Sequence, residues 1–180
     1  MMTPETFKSS SISFAQESEW QWTESSHSPG FLQRAVSHTR RVPVTDNDDS
    51  DPATASTPAE TLTSNQYIVF SPTFRVPTFY FTLRDASGSP LMLDDLVNTT
   101  LFHRCALDDT ERTSFAATQP GAAFPLLSQG EHPVLGTPCW FLHPCESAKA
   151  VEEIMRELGS EEDMDWFRSW MLVLCTVVAL

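Results

Sequence analysis

The stretch from Gln66 to Arg84 constrains the fold most. Tyr67-Ile68-Val69-Phe70 is built from strand formers, and beyond it Phe79, Phe81 and Leu83 alternate with Tyr80, Thr82 and Arg84. That period of two marks strands with one buried face. The run Asp85-Ala86-Ser87-Gly88-Ser89-Pro90 closes the second strand with a turn. Helices then predominate at the other end of the chain. Val151, Ile154, Met155 and Leu158 fall at i, i+3, i+4 and i+7, with Glu152, Glu153, Arg156 and Glu157 on the opposite face. Gly159 stops that helix, Ser160 and Asp163 open another, and Trp166, Phe167, Trp170, Met171 and Leu174 face inward from it. At the start, Thr3 caps a helix that has Pro4 in its first position and Glu5 near the positive dipole end. Phe7, Ser11 and Phe14 form its weak inner stripe, and Trp20 and Trp22 alternate like a short strand. Phe31 to Val44 reads as a poorer strand, Leu91 to Val97 as a short strand or helix, and residues 104–130 as irregular. An irregular stretch of that length tends to be functional. The expected class is α+β, helices set against an antiparallel sheet, and 13 prolines beside 6 glycines argue for that over a helical bundle.

A length of 180 residues suits one domain, 1–180. Inside it, residues 45–65 change character: five acids, no base, two prolines and one large apolar side chain, Leu62. Nothing there repays the entropy of ordering, so a mobile acidic insertion at about 45–65 is expected. The net charge of −13 repels phosphate backbones and anionic lipid, which argues against nucleic acid as a partner. The N-terminus lacks an unbroken apolar core, so no secretory signal is expected and the four cysteines read as free thiols of a cytoplasmic protein. From Trp170 to Leu180 every residue but Thr176 is apolar. As helix this run spans about 17 Å against a hydrocarbon core of about 30 Å, so a buried final helix is expected and no stable membrane insertion.

Reactive side chains concentrate between His132 and Cys145, in the order His132, Cys139, His143, Cys145. As metal ligands they have acceptable types, but the H-x6-C-x3-H-x-C spacing departs from the usual zinc signatures, with Pro144 wedged between His143 and Cys145. As structural residues, buried cysteines would be ordinary, above all Cys105 and Cys175. As a covalent carrier, Cys145 is well placed: Pro144 ends the preceding strand and a helix rises just after it. A thiol suits acyl transfer because it attacks an ester or thioester readily and its own thioester stays reactive. His143 would point to the opposite side if the strand persisted. Spacing alone leaves the structural and carrier readings of Cys145 level.

His143-Pro144-Cys145 resembles the active-site triplet of the autophagy branch of E2-like, ubiquitin-conjugating enzymes. The longer run Gln129-Gly130-Glu131-His132-Pro133-Val134-Leu135-Gly136-Thr137-Pro138, continued by Phe141-Leu142-His143-Pro144-Cys145, is similar to the autophagy-related protein 10 family. So are Val76-Pro77 and Tyr80-Phe81 with Gly88, Pro90 and Leu91, and the Ser169-Trp170 pair. The resemblance implies an E2-like fold and an enzyme without a dissociable cofactor, recruited to sites of autophagosome formation. Cys145 would accept the C-terminal glycine of the ubiquitin-like autophagy-related protein 12 from the E1-like autophagy-related protein 7. It would pass that glycine to a lysine of autophagy-related protein 5. From its charge, the acidic run Asp46 to Glu60 is expected to be a solubilising loop, with docking on a basic patch of the E1-like partner as the alternative.

His132-Pro133-Val134 before Cys139 imitates the His-Pro-Asn layout of typical ubiquitin E2 enzymes, but the intact autophagy-type triplet favours Cys145. Val134 stands where those enzymes carry a catalytic asparagine, and His132 is the expected substitute as oxyanion donor or positioning group. Two other functions compete. One is the lipid-conjugating autophagy-related protein 3 type, which shares the triplet. The other is a catalytically inert E2-like binding module.

Overall fold

The computed structural model describes residues 2–26, 28–40, 60–145, 147–159 and 163–180. Helix α1 (Pro4–Gln16) leads into strands β1 (Gln21–Thr23), β2 (Phe31–Thr39), β3 (Thr61–Ser71) and β4 (Val76–Arg84). After the one-turn helix α2 (Leu93–Leu96) come β5 (Glu111–Arg112), β6 (Ala116–Thr118), β7 (Leu127–Glu131) and β8 (Pro138–Leu142). Helices α3 (Ser147–Leu158) and α4 (Asp163–Leu174) follow. The strands form one antiparallel sheet in the order β1-β2-β3-β4-β8-β7-β6-β5. Helices before and after a single antiparallel sheet make the α+β class expected from the sequence.

The β3–β4 hairpin is the centre of the sheet, with Tyr67 opposite Tyr80 and Ile68 opposite Phe79. Alternation places Phe79, Phe81 and Leu83 in the core with Leu62, Ile68 and Phe70. The helices seal that face. Phe7 of α1 lies between Trp22, Phe70 and Phe167, at ring centroid distances of 5.9, 5.7 and 6.3 Å. Trp166, Phe167, Trp170, Met171 and Leu174 of α4 are all buried, as the pattern required. A reciprocal cap starts α1: Thr3 Oγ1 accepts the Thr6 N–H at 3.1 Å, and Thr6 Oγ1 accepts the Thr3 N–H at 2.9 Å.

Four expectations change. Strand β3 begins at Thr61, so the last five residues of the supposed mobile insertion are sheet, paired with Ala35–Thr39 of β2. The pleat turns Leu62 and Ser64 inward and leaves Thr61 and Thr63 outside, which β-branched threonine suits. Residues 45–59 of that insertion, like residues 41–44 of the predicted second strand, lie outside the described residues. Residues 104–130 hold β5, β6 and most of β7, strands of two to five residues and too short to show a period. In α3, Val151 and Met155 are buried but Leu158 at its end is 62% exposed. The apolar C-terminus is not one helix: α4 ends at Leu174, and the chain folds back so that His103 N–H donates to the Val177 carbonyl and Ala179 N–H to the Leu101 carbonyl. Among the described residues no helix is long and apolar enough to cross a membrane.

Candidate functional site

Strand β8 is held on both sides, with Phe141 opposite Tyr80 of β4 and Leu142 opposite Leu127 of β7. His143 adds one more sheet-like bond, its N–H donating to the Leu126 carbonyl at 2.9 Å. Pro144 then cannot donate, and its ring fixes φ, so pairing ends there. Cys145 follows, half-buried, two residues before α3. The Ser147 hydroxyl donates to the Pro144 carbonyl at 2.9 Å and ties the start of α3 to the turn. The cysteine therefore leaves the rigid centre of the sheet through a turn braced at both ends.

The His143 side chain is not turned away as expected: it lies on the side of Phe141, 6.4 Å away, since residues two apart along a strand share a face. Its ring folds toward the cysteine, and Nδ1 accepts the Cys145 N–H at 3.3 Å. Phe124 stacks on the ring at 5.1 Å and 11°, and Phe74 meets it edge-on at 5.2 Å and 74°. Burial by these rings lowers the His143 pKa, which keeps the imidazole neutral and leaves the Nδ1 lone pair available as an acceptor. Beneath the turn lies an apolar cavity of about 190 Å³, lined among others by Phe79, Leu142, Pro144, Trp170 and Val173. Phe74 comes from the β3–β4 turn and Phe124 from the segment before β7. No local pattern announces either residue as part of this site; only the long irregular reading of 104–130 pointed in that direction.

The other three candidates lie elsewhere. Cys139 is 2% exposed; its Sγ donates to the Thr137 carbonyl at 3.4 Å, and burial pushes the thiol pKa up. That is a packed cysteine. His132 requires a correction. Its backbone belongs to the β7–β8 turn, where its N–H donates to the Thr137 carbonyl at 2.8 Å. Cys145 leaves the opposite end of β8, and five strand residues span about 13 Å. The His132 ring is 1% exposed and packed edge-on against Phe31 at 5.0 Å and Tyr67 at 4.7 Å. Its Nδ1 accepts the Val134 and Leu135 N–H groups at 3.2 and 3.1 Å. An imidazole sealed in this way and engaged by its own turn presents no donor to a carbonyl carried on Cys145. His132 thus builds the turn. The four residues from 132 to 145 are not gathered, and among the described residues no three His, Cys, Asp or Glu side chains converge as a metal site would need.

The expected burial of Cys105 and Cys175 is also corrected. Both are exposed: Cys105 sits in a loop with φ of 66°, and Cys175 follows the end of α4, past its inward stripe.

The family model for autophagocytosis-associated protein, active-site domain, matches residues 6–180. Over 134 residues the chain is 23% identical to the ubiquitin-like-conjugating enzyme ATG10 of Homo sapiens, covering 74% of this chain and 56% of that protein. The Dictyostelium discoideum protein of the same name is 29% identical over 111 residues, 59% of this chain and 44% of its own length. The one from Gibberella zeae is 30% identical over 82 residues, 46% of this chain and 32% of its own length. The chain thus spans about half the length of the first two curated relatives.

Proposed function

The chain belongs to the autophagocytosis-associated active-site domain family and has its α+β, E2-like fold, and from that premise we propose that it is an E2-like conjugating enzyme of the autophagy-related protein 10 type with Cys145 as its acceptor thiol. One observation carries the assignment of the thiol: of the four cysteines, only Cys145 is half-buried in a turn braced between the central sheet and a long helix. Such a place makes a thiol reachable and directed at once. Cys139 is directed but sealed, while Cys105 and Cys175 are reachable but lie outside this turn.

The chemistry is two acyl transfers. Cys145 Sγ attacks the thioester that joins the C-terminal glycine of autophagy-related protein 12 to the E1-like autophagy-related protein 7. A new carbon–sulfur bond forms and the E1-like thiolate departs. A lysine Nζ of autophagy-related protein 5 then attacks the Cys145 thioester, an amide forms, the Cys145 thiolate leaves and the amine proton passes to solvent. ATP is spent upstream, so the chain itself needs no dissociable cofactor for either step.

The test mixes the protein with the E1-like enzyme, the modifier and ATP and reads a non-reducing gel. A reductant-sensitive adduct is expected for wild type and for Cys139→Ser. Cys145→Ser is expected to give a reductant-resistant oxyester or none. No wild-type adduct from a demonstrably charged E1-like enzyme would overturn the reading in favour of an inert module.

A further inference from the structure

We propose that His143 is a positioning residue for Cys145: its imidazole, clamped between Phe74 and Phe124, accepts the Cys145 backbone N–H and so fixes the turn from which the thiol projects. The inference rests on Cys145 being the acceptor thiol. The contact spans two residues, from the side chain of residue 143 to the N–H of residue 145, at 3.3 Å. This is the closure that asparagine and aspartate make in Asx turns, with imidazole Nδ1 in the place of the carboxamide oxygen. Pro144 fits the middle position because its φ is already set and it brings no competing N–H. The Cys145 N–H has no other regular use, since β8 has ended at Leu142 and α3 starts at Ser147.

The ring cannot swing away easily. Stacking of Phe124 at 11° and the edge contact of Phe74 hold its plane, and Phe141 lies 6.4 Å off. The His143 backbone is held as well, through its N–H bond to Leu126. A thioester on Sγ therefore leaves a turn tied on its helix side by Ser147 and on its strand side by the His143 side-chain bond. Misplacement of reacting groups by about 1 Å can cost a hundredfold in rate, so losing that bond matters at the chemical step more than in the fold.

Two substitutions separate positioning from packing. His143→Leu keeps apolar bulk between the phenylalanines and removes the acceptor; His143→Asn removes the ring and keeps an acceptor at the δ position. Single-turnover thioester formation is expected to slow by about tenfold or more in His143→Leu and to recover to within about threefold of wild type in His143→Asn. Amide hydrogen exchange of Cys145, measured without any partner, is expected to be fast in His143→Leu and protected in wild type and His143→Asn. Equal exchange in all three proteins would overturn the proposal, whatever the conjugation assay gives. Equal slowing of both variants would also overturn it and assign His143 to packing. Absence of a wild-type adduct would instead overturn the role of Cys145, and the exchange measurement would still decide whether His143 holds the turn.

Discussion

His132 offers a prediction whose size follows from its surroundings. The imidazole is fully buried against Phe31, Tyr67 and Tyr80, and desolvation lowers its pKa from 6.5 to about 4. Burial also raises the pKa of Tyr67 and of Tyr80, so both phenols stay neutral beside it. Above pH 6.5 the ring is neutral in folded and unfolded chains alike, and the stabilisation is fully present. As pH falls, the unfolded chain binds the proton first, so stability is lost progressively from pH 6.5 down to about 4, where the native ring also protonates. The loss amounts to about 2 kcal/mol between pH 7 and pH 5, and to about 3 kcal/mol once both values are passed. His132→Asn keeps an acceptor for the Val134 and Leu135 N–H groups but cannot titrate. Urea unfolding followed by tryptophan fluorescence at pH 7, 6 and 5 is the assay. The variant is expected to be less stable at pH 7, having lost its ring contacts, and the gap to wild type should narrow by about 2 kcal/mol at pH 5. His38 and His143 titrate in both proteins and cancel in the difference. Parallel stability curves would refute the claim that a sealed, neutral imidazole closes this turn.

Two further outcomes test the packing. A short iodoacetamide pulse on native protein, read by peptide mass spectrometry, should label Cys105, Cys145 and Cys175 and spare Cys139 until the chain is unfolded; early labelling of Cys139 would contradict its burial near the start of β8. Gly30 has φ of 95°, and a Cβ there would lie 2.4 Å from Trp22 Cζ2 and 2.6 Å from the Thr23 carbonyl oxygen. Gly30→Ala should cost about 2 kcal/mol or more and lower Tm by about 4 °C or more, and an unchanged melting curve would refute that close approach.

The legible parts of the fold share one property: their signals repeat within a few residues. The alternation of Phe79, Phe81 and Leu83, the helical stripe from Trp166 to Leu174 and the Thr3-Pro4-Glu5 helix start each report local geometry, and each is observed. Illegible parts had no room for a period or carried misleading composition. Strands β5 and β6 have two and three residues. Thr61–Asn65 looked like the tail of a polar insertion, yet its backbone groups are satisfied by β2 on one side and, from Thr63 on, by β4 on the other. A ladder with partners that distant in sequence overrides what local composition alone suggests.

At the site the division is the same. The run His143-Pro144-Cys145 after an apolar strand and before an amphipathic helix could be read directly from the chain, because proline, strand end and helix start are neighbours in sequence. His132 was expected to stand in for the asparagine of the His-Pro-Asn layout, thirteen positions before Cys145, but the β7–β8 hairpin carries the two apart. Which residues meet was decided by strand order. Inserting β8 between β4 and β7 brings Phe74 and Phe124 onto the two sides of His143, and folding the β7–β8 turn over the open face sets His132 on Phe31, Tyr67 and Tyr80. The chain by itself determined the elements and the cysteine between two of them, since backbone periodicity and proline act locally. Only the tertiary structure decided which ring steadies the cysteine and which is sealed away from it, since those contacts join residues that no short-range rule connects.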